Sequence, residues 1–158
     1  MNLELGTLNA APRQPEPMNT FQKLAEICRR YAVDDLYVFG SRAAEIAAWV
    51  RQKSGLPSQP ESDVDIGVLP GEGPVWTPEK RVNLTMALED LFQAVRVDLV
   101  LLPEADPFLA LDIVRGELLY AADPDRQARY ELFVLRRAGD LLPLKRERTR
   151  MILEEGAR

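Results

Sequence analysis

Apolar positions along the chain alternate between helical and strand spacing, with Gly and Pro separating the two regimes. Phe21, Leu24, Ala25, Ile27, Cys28 and Tyr31 recur every three or four residues, which predicts an amphipathic helix from an Asn19 or Thr20 cap to about Ala32. Leu36-Tyr37-Val38-Phe39 is a continuous apolar run closed by Gly40, the pattern of a short strand. From Ser41 to Arg51 the residues favour helix and contain no breaker, and Ser54 to Pro60 reads as a loop. Val64–Leu69 predicts a second strand, stopped by Pro70 and Gly71.

Three later helices announce themselves through a capping residue followed by proline, since Pro fits the first helical turn, where its missing N–H costs nothing. Thr77-Pro78 opens one running to about Ala94, Asp106-Pro107 one running to Arg115, and Asp123-Pro124 a long one through about Arg137. A last helical piece is expected after Pro143. Between them lie strand patterns at Val97–Leu102 and Leu118–Tyr120. The order is helix and strand in alternation, ending on helix. This predicts an α/β (α+β) fold, a small mixed sheet of about four strands flanked by helices.

Length sets the domain count. The chain has 158 residues, enough for one packed core but not two comfortable ones. Residues 1–18, with Pro12, Pro15 and Pro17 and no apolar period, are expected to be a flexible tail, and 19–158 a single domain. No apolar run approaches the roughly 20 residues of a membrane-spanning helix, and the N-terminus has no signal-like core, so a cytoplasmic protein is expected.

Two absences narrow the chemistry. The chain contains no histidine, which excludes imidazole as base or ligand, and Cys28 is its only cysteine, which excludes an internal disulfide. On an apolar helix face Cys28 is expected to be packing rather than reactive. Proton transfer must then fall to carboxylates, and a bound metal must be a hard cation held by oxygen. The net charge of −5 disfavours a long nucleic acid as ligand. The charge is uneven, however, because Arg136, Arg137, Lys145, Arg146, Arg148 and Arg150 gather near the C-terminus.

Against that background the runs Phe39-Gly40-Ser41-Arg42, Ser62-Asp63-Val64-Asp65-Ile66-Gly67-Val68 and Arg96-Val97-Asp98-Leu99-Val100 stand out. Asp63 and Asp65 are two residues apart, so on a strand they share a face, and like charges at that distance repel unless a cation lies between them. Asp98 sits near the start of the next strand and reaches the same point if the two strands are neighbours. Three carboxylates around one point suit Mg²⁺ carrying a nucleoside triphosphate. Gly40 permits a tight turn, and Ser41 at a helix N-terminus offers N–H groups and a hydroxyl to phosphate, with Arg42 adding charge. Singly, a Gly-Ser turn, an Asp-x-Asp pair and a strand-edge Asp are ordinary features of a surface. Together, in this order and on successive strands, they point to metal-assisted nucleotidyl transfer.

These residues resemble the polymerase-beta-type nucleotidyltransferase superfamily, whose signature is Gly-Ser, then Asp-x-Asp, then a third acid on a later strand. Within it, the short chain and its strings are similar to the minimal nucleotidyltransferases over about residues 20 to 120. The resemblance implies a phosphate-binding turn at Gly40 and Ser41, a metal-binding pair at Asp63 and Asp65, and a third carboxylate at Asp98. It implies as partner a helical HEPN-domain ribonuclease toxin, silenced by transfer of AMP from ATP to one of its tyrosines, with the two chains in a hetero-oligomer. The twenty residues from Ala43 to Ser62 make a longer connection than the family usually has. That segment carries Trp49, read as core or partner-facing rather than stacked on a base.

Two other classes remain open at this point. One is a non-catalytic module of the same fold that blocks its partner by binding. The other is a small-molecule nucleotidyltransferase acting on an aminoglycoside-like hydroxyl, for which residues 123–158 leave little room for the usual second domain.

Overall fold

A computed structural model describes residues 17–53, 55, 57, 62–73 and 75–156 of the chain. The tail expected at 1–18 lies outside the described residues except for Pro17 and Met18, as does most of the 54–60 loop. The elements follow in the order α1 (Thr20–Arg30), β1 (Val33–Phe39), α2 (Ala43–Val50), β2 (Val64–Pro70), α3 (Pro78–Phe92), β3 (Val97–Leu101), α4 (Pro107–Val114), β4 (Glu117–Ala121) and α5 (Pro124–Gly156). A single 3₁₀ turn, Leu102–Glu104, follows β3 where the sequence had suggested that the strand runs on to Leu102.

Local chemistry starts α1, α3, α4 and α5 where the pattern predicted. Asn19 accepts a hydrogen bond from the Gln22 amide at 2.8 Å, while the Gln22 side chain accepts from the Asn19 amide at 2.9 Å, a reciprocal cap. Thr77 accepts from the Lys80 amide, Asp106 from those of Phe108 and Leu109, and Asp123 from those of Asp125 and Arg126.

One expectation needs correction. Residues 124–156 form one continuous helix instead of breaking before Pro143. Proline removes a single backbone donor and clashes mainly with the carbonyl four residues earlier, here that of Gly139, which has no side chain to hinder adjustment. The helix is also tied down beyond the proline, where the Lys145 ammonium sits 3.9 Å from the centre of the Phe108 ring on α4.

The strands form one mixed sheet in the order β3-β2-β1-β4. β1 pairs antiparallel with β2 and β4, whereas β2 and β3 run parallel. Alternation sends Leu36, Val38, Val64, Ile66, Val68 and Val97 towards α1, α2 and α3, where they bury Leu24, Cys28, Ile46, Leu84, Leu88 and Phe92. On the opposite face Tyr37 and Leu69 pack with Ile113 of α4 and Val134 of α5. Gly67 makes that second layer possible, because a Cβ there would overlap the Ile113 side chain. Cys28 is fully buried, and burial pushes its thiol up to about 12, as expected of a packing residue. Trp49 is partly buried with its ring edge-on to Phe92, which is the core role.

The α5 face also covers a buried polar cluster. The Tyr37 hydroxyl accepts from Gln127 at 2.7 Å and donates to Glu131 at 3.2 Å. Nearby, Asp35 is only 2% exposed and its Oδ2 has no hydrogen-bond partner. Burial first, then the neighbouring Asp34, Glu131 and Asp123 charges, raise its carboxyl from 3.8 to about 6, while Arg126 opposes them. The folded chain therefore holds this proton more tightly than the unfolded one. Stability from this group is highest below pH 3.8 and falls as pH rises to about 6. A shift of that size corresponds to roughly 3 kcal/mol. Urea unfolding followed from pH 4 to pH 7 is expected to show this loss in the wild-type chain, and Asp35→Asn is expected to flatten it.

Candidate active site

The parallel register of β2 and β3 creates the site. Asp65 stands directly opposite Asp98, one hydrogen-bonded step from the strand starts, where Val64 pairs with Val97. Adjacent parallel strands lie about 4.8 Å apart, so the two carboxylates leave the same sheet face side by side. Asp63 is the residue immediately before β2 rather than part of it, and its side chain is half exposed. All three acids thus gather at one end of two neighbouring strands.

From the other side, β1 delivers Gly40. Phe39 pairs with Asp65, and Gly40 follows at φ +74°, a conformation that L side chains rarely adopt. A Cβ on Gly40 would sit 2.5 Å from Asp65 Oδ2, so glycine is required both by backbone conformation and by contact. The turn closes with the Ala43 amide donating to the Gly40 carbonyl at 3.3 Å. It delays α2 to Ala43 and leaves Ser41 exposed in the turn itself, two residues before the helix where the sequence had suggested its first position. The Arg42 side chain does not cap α2.

Arg42 takes a different place from the one expected of a phosphate ligand. It is 4% exposed, donates to the Ser62 carbonyl at 2.7 Å and to Glu45 at 3.2 Å. Its guanidinium joins the Gly-Ser turn to the residue that precedes Asp63 and so links the two halves of the site. Arg96 went unnoticed as a site residue. Its Nε donates to Asp98 Oδ1 at 2.8 Å and its guanidinium lies 3.9 Å from Asp63 Oδ2. The one available signal was a basic residue two positions before Asp98, which by strand alternation shares its face.

Electrostatics at this point are strained. The Asp65 carboxyl is raised above its ordinary value by burial first, then by Asp98 and Asp63. Arg96 offsets part of this repulsion, though at 63% side-chain exposure such a pair is weak. Among the described residues no group of three or more His, Cys, Asp or Glu side chains is so placed that it could hold a metal ion without moving. The donor set nonetheless fits a hard divalent cation: three carboxylates, one of them held by its neighbours against its charge, with Arg96 as a cationic stand-in. Asp63, Asp65 and Asp98 are the residues that would hold it.

Two outcomes are expected. Gly40→Ala should cost about 1–3 kcal/mol in thermal unfolding, by forcing alanine into the left-handed region and against Asp65. In calorimetric titration with Mn²⁺, Arg96→Met should bind the ion about three- to tenfold more tightly than wild type, because a competing cation is gone. Equal affinities would show that Arg96 does not compete.

The family described as polymerase beta, nucleotidyltransferase matches residues 22–125. Among solved structures, a chain of a toxin–antitoxin complex with AMP-PNP superposes with a TM-score of 0.56 at 23% identity, covering 85% of this chain and 96% of that one. A chain from a complex of tri-AMPylated Shewanella oneidensis HEPN toxin with MNT antitoxin does so with a TM-score of 0.55 at 22% identity, covering 85% and 94%. A chain of the toxin–antitoxin MntA–HepT gives a TM-score of 0.55 at 22% identity, covering 85% and 95%. No curated protein sequence matches the chain. These likenesses are likenesses of fold, but the family match spans most of the chain and includes every element that builds the acid cluster. The chain belongs to the polymerase beta nucleotidyltransferase family.

Proposed function

We propose that this chain is a Mg²⁺-dependent nucleotidyltransferase that transfers AMP from ATP to a tyrosine hydroxyl of a HEPN-domain toxin, acting in the cytoplasm as that toxin's antitoxin. The observation that carries the reading is the pairing of Asp65 with Asp98 opposite Gly40, a carboxylate cluster facing a turn built for close approach. The family match supports the transfer chemistry. The choice of partner draws on the similar structures, which include a toxin–antitoxin complex with AMP-PNP and a tri-AMPylated HEPN toxin with its MNT antitoxin.

In this reading the backbone amides after Gly40 and the Ser41 hydroxyl orient the phosphates. Magnesium, held by Asp63, Asp65 and Asp98, would neutralise phosphate charge and lower the pKa of the incoming hydroxyl. The acceptor oxygen attacks the α-phosphorus, the bond between the α-phosphorus and its bridging oxygen breaks, and pyrophosphate departs with that electron pair. Asp98, half exposed at the start of β3, takes the acceptor proton. Arg42 keeps the Gly-Ser turn and the Asp63 segment in register through Ser62. Positioning and charge neutralisation carry most of the rate in such transfers.

The test is incubation with α-labelled ATP, Mg²⁺ and a HEPN-domain toxin. Label should appear on a toxin tyrosine, toxin ribonuclease activity should fall in step, and Asp65→Asn should lower the labelling rate roughly 100-fold or more. Neutralisation that survives Asp65→Asn without any label would instead establish the purely steric antitoxin.

A further inference from the structure

The face of α5 that packs on the body does not end where the body ends. Val134 and Ala138 are 3% and 2% exposed, and the same helical face continues through Leu141, Lys145, Arg148 and Ile152, with Leu144 and Met151 on its flank. Past Phe108 this stripe is uncovered: Leu144 is 67% exposed and Ile152 59%. At about 1.5 Å per residue α5 is about 50 Å long, so its distal third extends the apolar stripe well beyond the sheet.

Two cavities mark the near end of that stripe. One of about 230 Å³ lies between the Leu102–Ala110 segment and α5, bordered by Phe133 and Arg137. The other, about 460 Å³, lies between Phe108 and Leu144 and is bordered by Lys145 and Arg148. The rim is predominantly cationic: Arg137, Lys145 and Arg148 border the two cavities against one carboxylate, Asp106, whose Oδ1 accepts from the Phe108 and Leu109 amides. Among the described residues Arg137 and Arg148 have no acidic partner at ion-pair distance.

We infer that this groove, running from Phe133 to Ile152 along α5, docks an amphipathic helix of the partner protein, apolar on the buried side and acidic along its edges. Such a helix repeats for the distal half of α5 what α4 does for the proximal half, and its carboxylates meet Arg137, Lys145 and Arg148. A second copy of this chain is a poor occupant, because a symmetric contact would oppose the same cations to themselves. RNA would satisfy the cations but leave Leu144, Met151 and Ile152 in water. The partner's identity rests on the proposed function; the surface does not.

The experiment is calorimetric titration of a HEPN-domain toxin into the full-length chain. Leu144→Glu/Met151→Glu, at exposed positions beyond the body, should weaken binding about 30-fold or more while leaving the thermal transition in place. Arg148→Glu should weaken it and lessen its dependence on salt. Binding at wild-type affinity in both α5 variants overturns the docking surface and leaves the partner assignment intact. No binding by the wild-type chain overturns both. A structured RNA that binds tightly and is released by Arg148→Glu, but not by Leu144→Glu/Met151→Glu, overturns the helix in favour of nucleic acid.

Discussion

Two carboxylates placed side by side by parallel strand pairing, Asp65 on β2 and Asp98 on β3, set the constraint from which the rest of the structure follows. Their mutual repulsion is a cost that the fold accepts here, and Asp63 adds to it. A cluster of this kind persists when the surrounding architecture over-determines it. Here the apolar residues Val64, Ile66 and Val68 anchor β2 into the α1–α3 layer, and Val97 anchors β3 into the same layer. The acids have no alternative face to turn to.

The opposite layer shows how access is kept. Gly67, two residues after Asp65 on the same face, lets Ile113 of α4 press against the sheet. Cover by α4 therefore begins at Gly67 and leaves Asp65 at its edge, partly buried rather than sealed. Gly40 does the complementary job from β1, bringing backbone up to Asp65 Oδ2 without a side chain in the way. Arg42 and Arg96 hold the assembly together electrostatically, but in different ways. Arg42 is buried and bonded to a carbonyl, which makes it structural; Arg96 is exposed and paired to acids, which makes it exchangeable.

The long C-terminal helix has two roles along its length. Its proximal half closes the second layer through Val134 and Tyr130, and shelters the Tyr37–Gln127–Glu131 hydrogen bonds. Its distal third keeps an apolar periodicity with little beneath it. A 33-residue helix is far longer than is needed to cover a four-stranded sheet.

Much of this was legible in the residues themselves. Helix starts at Thr77, Asp106 and Asp123 were readable because capping is local chemistry between neighbours, as was the Gly-Ser turn after β1. The composition, without histidine, limited the site to oxygen chemistry before any fold was known. The likeness of Asp63, Asp65 and Asp98 to a metal-binding set was visible as a motif. What the residues could not express was anything set by distant pairing. That Asp98 lies opposite Asp65 depends on a parallel register between strands whose first residues are more than thirty positions apart in the chain. The roles of Arg42 and Arg96 depend on which carbonyl and which carboxylates that register brings within reach. Pro143 does not end α5, and beyond it the helix is held from outside its own sequence by Phe108 of α4, which carries the Lys145 ammonium on its ring. Short-range order is written in backbone preferences, whereas the meeting of charges is decided only when the sheet closes.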